Sequence, residues 1–308
     1  MTSLLDAAET ARRLPYGPLA REIGALLADP SVQVPARLVQ PLAGGGSLFV
    51  MPARDCALAI TKLITFTPAN AGSGRPTIQG DVIVFDVATG ERRLILDGPT
   101  VTARRTAAVS LLAAQRLAAN TGGPLLIVGA GAQGLAHLDA FAEGLQVREV
   151  RVASRSLDSA QRLVDHALSI GMKARVVTSP DAQMPHCPLV VTCTPASGVV
   201  LRALPRADAF IAAVGAFTPA MVELGAALCR HFADHGTIVV DTPDAQHEAG
   251  DLLQAGLDVK RFADLRAVVL NPGHAFPGPV LFKSCGWGGW DLAAARTAIQ
   301  PVSYPASR

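Results

Sequence analysis

Aromatic residues are scarce, making up 5% of the sequence. Rows of exposed rings, on which single-stranded nucleic acid stacks, are therefore not expected. Net charge is also small, +2 over 308 residues, so charge selects neither nucleic acid nor an anionic membrane surface. The five cysteines (Cys56, Cys187, Cys193, Cys229 and Cys285) are odd in number and form no C-x-x-C. That pattern fits reduced thiols in a cytoplasmic protein rather than a disulfide scaffold. No apolar run approaches the roughly 18 residues a membrane helix needs. The N-terminal stretch MTSLLDAAETARRLPYG carries acidic residues and lacks the apolar core of a signal peptide. Among seven histidines, His231 and His235 are four apart but lack the glutamate of H-E-x-x-H, so no metal is expected. No G-x-S-x-G nucleophile elbow occurs. Half of the residues are hydrophobic, which is enough for one large core or two modest ones.

Residues 1–30 read as helical, with Leu and Ala at helical spacing and Pro18 suited to a first turn. ALAITKLITF (57–66) and DVIVFDVATGERRLILDG (81–98) read as strands, the second pair joined by a turn at DVATG. A helix follows, with Thr102 as its N-cap, and TGGP (121–124) breaks it at a domain boundary. From 125 onward strands at 125–129, 148–153, 189–193, 209–214 and 237–241 alternate with helical segments. Such alternation predicts a parallel sheet with crossover helices, an α/β fold of the Rossmann, doubly wound type beside an antiparallel α+β unit. The tail FKSCGWGGWDLAAARTAI predicts a last helix starting near Asp291 that returns to the first domain.

The strand at 125–128 runs into Gly129-Ala130-Gly131-Ala132-Gln133-Gly134, and an amphipathic helix follows. In that context G-x-G-x-x-G predicts a dinucleotide: Gly129 for the tight turn, Gly131 for approach to the pyrophosphate, Gly134 for helix–strand packing. An Asp or Glu at the end of the next strand would hold the ribose 2′-hydroxyl of NAD. Here Ser154 and Arg155 stand there; both can bond a 2′-phosphate, so NADPH is expected, with NADH used more weakly. Ser156 also suits a helix cap.

Three cations lack an evident role. Arg104 and Arg105 fall in the first turn of the predicted helix, against its dipole. An anionic ligand there would resolve the conflict; two solvated arginines are the plain alternative. Lys62 interrupts an apolar strand and either finds a buried partner or points to solvent.

Several segments in order, VPARLV with Arg37, FVMPA (49–53), TKLITFTPAN with Lys62, DGPTVTARRTAAVSLLAAQRLA, the glycine motif, VVTCTPA and FKSCGWGGWDLAAA, resemble the ornithine cyclodeaminase/mu-crystallin family over nearly the whole chain. The resemblance implies a substrate-binding and dimerisation domain at 1–120, completed by 288–308, and an NADP(H)-binding Rossmann domain at 121–287, with the subunits paired as a homodimer. It implies that Arg37, Lys62 and Arg105 meet a substrate carboxylate, with Met51 beside them. It further implies that Thr77, Arg105, Thr106, Ala132, Gln133, Thr194, Val214 and Ser284 line the cofactor with Gly129, Gly131, Gly134, Ser154 and Arg155.

Cyclodeaminases of the family carry an Asp shortly after the Val-Gly pair of a late Rossmann strand, where it handles ornithine's amino group. The matching residue in AAVGAFTPAMVEL is Phe217, which cannot accept a proton, and this counts against cyclodeamination. The chain is most similar to the subgroup of ketimine reductases, enzymes that reduce Δ1-pyrroline-2-carboxylate and Δ1-piperideine-2-carboxylate to L-proline and L-pipecolate. A small cyclic imino acid is then the substrate, with Phe217 lining its site. Lys62 is the candidate proton donor, beside a bound water or an imine that arrives protonated. An amino-acid or N-alkyl-amino-acid dehydrogenase, and a mu-crystallin-type NADPH and small-ligand binder, remain open alternatives. Trp287 and Trp290 either close the substrate pocket or pack between domains.

Overall fold

The computed structural model describes residues 3–70 and 73–300. By contacts the chain divides into two compact units, Met1–Arg105 with Trp287–Arg308, and Thr106–Gly286. Residues 301–308, the end of the segment expected to complete the first domain, lie outside the described residues.

The first unit is a six-stranded sheet of β1 (Ser3–Leu4), β2 (Leu38–Pro41), β3 (Ser47–Arg54), β4 (Leu58–Phe66), β5 (Ile78–Asp86) and β6 (Arg92–Asp97), in the order β1-β6-β5-β4-β3-β2. Its pairs are antiparallel except β1 with β6. Leu58, Ile60, Lys62 and Ile64 of β4 are buried while Leu63 between them is exposed, the period of two expected of a strand with one face covered. The helix Gly288–Ile299 packs against that sheet and against the helix Tyr16–Ala28. It is buried on nearly every side, and Ala and Gly let it lie close: a Cβ on Gly288 would come within 3.3 Å of the Pro52 carbonyl. Arg296 fastens it, reaching Asp55 at 2.6 Å, Asp29 at 2.5 Å and Glu22 at 3.3 Å.

The second unit is an eight-stranded parallel sheet: β7 (Leu125–Val128), β8 (Glu149–Ala153), β9 (Lys173–Val176), β10 (Leu189–Thr192), β12 (Phe210–Ala213), β14 (Thr237–Val240), β15 (Ala263–Asp264) and β16 (Val280–Lys283). A separate parallel pair joins β11 (Ser197–Leu201) to β13 (Val222–Leu224). The order β15-β14-β16-β12-β10-β7-β8-β9 reverses direction after β7, the switch point of a doubly wound fold. Strands β7, β10, β12 and β16 are buried at every position, as strands covered on both faces should be.

Several sequence expectations shift. Residues 3–4 form a strand, so the N-terminal helices are Ala7–Arg13 and Tyr16–Ala28. The helix placed after Thr102 begins at Gly98, four residues before that expected cap. Thr102 is therefore not its cap; its hydroxyl donates back to the Gly98 carbonyl at 2.8 Å. The contact division falls inside this helix, after Arg105, rather than at 121–124. The reason is that its later turns pack within the second unit, where His137 Nε2 meets Ser110 Oγ at 2.9 Å and Leu111 lies against Gly144. No helix among the described residues is long and apolar enough to cross a membrane.

Candidate functional site

In the first unit the inward face of β4 carries Lys62, 1% exposed, opposite Met51 of β3 in register. The Lys62 ammonium donates to Asp291 Oδ1 at 3.1 Å, and Arg105 Nε stands 3.4 Å from the same oxygen. Asp291 is fully buried on the helix Gly288–Ile299, and its Oδ2 has no hydrogen-bond partner. One carboxylate thus faces two cations, leaving a buried excess of positive charge that suits an anion. Burial pulls the Lys62 ammonium down to about 8; Asp291 opposes that, and the charges of Arg105 and Arg37 add to it. Arg37, half-buried just before β2, therefore belongs to the same electrostatic neighbourhood.

The pairing of Arg104 with Arg105 as cations in search of an anion does not hold. Arg104 Nε donates to the Leu14 carbonyl at 2.6 Å, and its guanidinium lies 3.9 Å over the Tyr16 ring. With the helix starting at Gly98, neither arginine is in its first turn, so the dipole conflict vanishes; Arg105 answers Asp291 instead. Lys62 likewise finds a buried partner, not solvent. Trp290 is fully buried and stacks edge-on against Trp287 at 4.9 Å.

In the second unit the glycine motif has the expected geometry. Gly129 has φ +115°, and a Cβ there would meet the Cys193 carbonyl at 2.7 Å. A Cβ on Gly131 would meet nothing within 4 Å, whereas one on Gly134 would strike the Gly129 carbonyl at 2.2 Å. Gly131 caps the helix Ala132–Gly144 without a side-chain hydrogen bond, and a helix N-terminus of this kind suits an anionic group such as a pyrophosphate. At the end of β8, Ser156 N–H donates to Ser154 Oγ at 3.3 Å, and Ser156 caps the helix Leu157–Ser169. Arg155 is exposed, and no carboxylate occupies this strand end.

Thr194, Val214, Phe217 and Ser284 follow the ends of β10, β12 and β16, on the same edge of the sheet. Phe217 packs against the core of this unit. The Ser284 hydroxyl is engaged, donating to Asp241 Oδ2 at 2.8 Å. Thr106 begins this unit's share of the helix Gly98–Leu117, whereas Thr77 lies in the first unit, just before β5. Among the described residues no group of His, Cys, Asp and Glu is arranged to hold a metal.

Sequence reading missed Asp291 as a site residue, and with it three buried charges of the second unit, Glu223, Asp251 and Lys283. The available signal was a lone charge inside an apolar segment: Asp291 in GGWDLAAA, Lys283 in VLFKS.

The doubly wound, dinucleotide-type fold of the second unit and the buried cationic cluster of the first define the class. Residues 20–301 match the ornithine cyclodeaminase/mu-crystallin family, and the chain belongs to that family. It is 40% identical to Delta(1)-pyrroline-2-carboxylate reductase 1 of Burkholderia multivorans, over 96% of this chain and 95% of the relative. It is 39% identical to the Delta(1)-pyrroline-2-carboxylate/Delta(1)-piperideine-2-carboxylate reductase of Azospirillum brasilense, over 96% and 94%. Among solved structures, the Thermococcus litoralis Delta(1)-pyrroline-2-carboxylate reductase with NADH and L-proline superposes with a TM-score of 0.87 at 21% identity, covering 96% of this chain and 95% of that one.

Proposed function

We propose that the protein reduces cyclic ketimines, Δ1-pyrroline-2-carboxylate and Δ1-piperideine-2-carboxylate, to the corresponding cyclic amino acids with NADPH. The observation that carries this reading is the buried Lys62–Asp291–Arg105 cluster with its uncompensated positive charge. Relatives at about 40% identity named as reductases of these imines support it.

Arg37, Lys62 and Arg105 hold the substrate carboxylate, which neutralises the excess charge. The nicotinamide, when bound, supplies a hydride for C2 of the C=N bond. Reduction also needs one proton at nitrogen. Lys62 is suited to give it, since an ammonium that titrates near 8 is protonated at neutral pH yet releases a proton readily. Phe217 offers no acceptor for a free amino group, which favours a ring nitrogen over ornithine. Fixing the ring against the nicotinamide contributes several kcal/mol to the rate, on the order of the effective-molarity gains of oriented reactants.

The preference for NADPH rests on Ser154 and Arg155 and on the lack of a carboxylate at the end of β8. A guanidinium and a hydroxyl can bond a 2′-phosphate that a carboxylate would repel. A homodimer is the proposed assembly. Leu38, Val50 and Leu63 are cross-strand neighbours on the sheet face opposite Lys62, and Leu38 and Leu63 are 55% and 41% exposed, an apolar patch of the kind that pairs subunits.

The test is NADPH and NADH oxidation followed spectrophotometrically with pyrroline-2-carboxylate, piperideine-2-carboxylate, and pyruvate plus methylamine. Turnover of the cyclic imines with NADPH preferred is expected. Turnover of the open-chain mixture alone would replace this reading by an N-alkyl-amino-acid dehydrogenase. Cofactor binding without turnover would replace it by a binding protein.

A further inference from the structure

The second unit buries a polar network that the proposed chemistry does not use. Glu223 of β13 is fully buried and accepts four hydrogen bonds. Oε1 takes the Thr194 N–H at 2.6 Å and the Thr194 hydroxyl at 2.8 Å; Oε2 takes the Gly215 N–H at 2.7 Å and the Thr192 hydroxyl at 3.0 Å. One carboxylate therefore ties together the loops that leave β10 and β12. The approach is tight: a Cβ on Gly215 would stand 2.5 Å from Glu223 Oε1.

Two further charges brace the same place. Asp251 Oδ1 accepts the N–H groups of Glu223 at 2.6 Å and Leu224 at 2.9 Å, while its Oδ2 faces Lys283 Nζ at 3.1 Å. Lys283, the last residue of β16, donates to the carbonyls of Ala216 at 2.5 Å and Ala213 at 3.2 Å. The ends of β10, β12 and β16 are thus joined by buried, charge-assisted bonds, each stronger than a neutral one.

In a doubly wound sheet the two mononucleotide halves of the ligand lie on either side of the strand where the order reverses. Here the glycine motif and Ser154–Arg155 serve one half, at β7 and β8, and the loops after β10 and β12 serve the other. We propose that Glu223 is a positioning residue for the nicotinamide half of the cofactor, holding Thr194 and Gly215 in place and having no part in binding the adenine half. This rests on the dinucleotide reading of the second unit.

Glu223→Gln is a sharp probe. Each carboxylate oxygen accepts a backbone N–H, so a carboxamide in either orientation opposes an NH₂ to an N–H. Thr192→Val is the milder companion, deleting one hydroxyl donor and keeping the shape. Binding of NADPH and of its nicotinamide-free fragment, 2′-phospho-ADP-ribose, is measured by calorimetry for wild type and both variants. Glu223→Gln is expected to weaken NADPH about tenfold or more, the loss of one to two charged hydrogen bonds, and to leave the fragment unchanged. Thr192→Val should follow in the same direction with a smaller loss. Wild-type affinity for NADPH in both variants overturns the proposal, as do parallel losses of NADPH and fragment in Thr192→Val. Failure of the wild type to bind any nicotinamide dinucleotide would instead remove the cofactor reading, and this proposal with it.

Discussion

Lys62 and Asp291 are 229 positions apart in the chain and 3.1 Å apart in the fold, both buried. Each charge stabilises the other there, because an unpaired buried ion costs several kcal/mol. Asp291 therefore sets both the position of the Lys62 ammonium and its readiness to part with a proton.

Asp291→Asn removes the charge that stabilises protonated Lys62 against its burial. With Lys62 as proton donor, wild-type kcat should fall as pH rises through about 8. In the variant this alkaline limb should move to lower pH, with activity recovered in part on acidification. A pH–rate profile checks this; an unmoved limb would show that Lys62 is not the titrating group.

Neighbouring arginines should separate cleanly. Arg105→Ala should raise the KM for the imine about 30-fold or more, the loss of a charged contact worth roughly 2–3 kcal/mol. Arg104→Ala should leave KM near the wild-type value but lower stability by about 2 kcal/mol, through the lost Leu14 bond and Tyr16 contact. Steady-state kinetics and thermal melts on the same two proteins decide it.

Arg155→Ala should weaken NADPH about 10-fold to 100-fold and leave NADH unchanged, since only the 2′-phosphate loses a partner. Ser154→Asp should go further and reverse the preference. Comparing kcat/KM for the two cofactors tests the assignment.

His137 is buried between the Gln133 carbonyl and Ser110, and burial lowers its pKa from 6.5 to about 4. The folded chain thus keeps this imidazole neutral where the unfolded chain protonates it. Its contribution to stability is complete above pH 6.5 and is lost as pH falls toward 4, by up to about 3 kcal/mol. Denaturant melts between these limits should show that slope, and His137→Asn should flatten it.

Much of this was legible in the residues. The glycine motif, five of the six interior strands of the parallel sheet and the Ser154–Arg155 pair depend on local pattern, and local pattern survives folding. The reading of Arg104 and Arg105 failed because a helix start was placed at Thr102; Gly98 and Pro99 are weak helix formers, yet they are the first two residues of the helix. Strand β9, KARV, was missed because an edge strand alternates exposed charge with half-buried residues and resembles a loop. Strand β16 was missed because Lys283 closes it and a glycine-rich turn follows. Asp291 and Glu223 carry no motif at all. Their meaning comes from partners remote in sequence, and no window of neighbouring residues contains that information.

The clamp of Arg296 on Asp55, Asp29 and Glu22 also orders events in time. During synthesis the first strands emerge long before the helix Gly288–Ile299, which follows the whole second unit. Until that helix arrives, three carboxylates have no cation and Lys62 has no anion, so the nascent first sheet lacks both its cover and its charge balance. Contacts this remote are slow to form and costly in chain entropy. The last helix therefore completes the first unit: a chain cut before residue 288 leaves Lys62 without Asp291 and the first sheet without its cover.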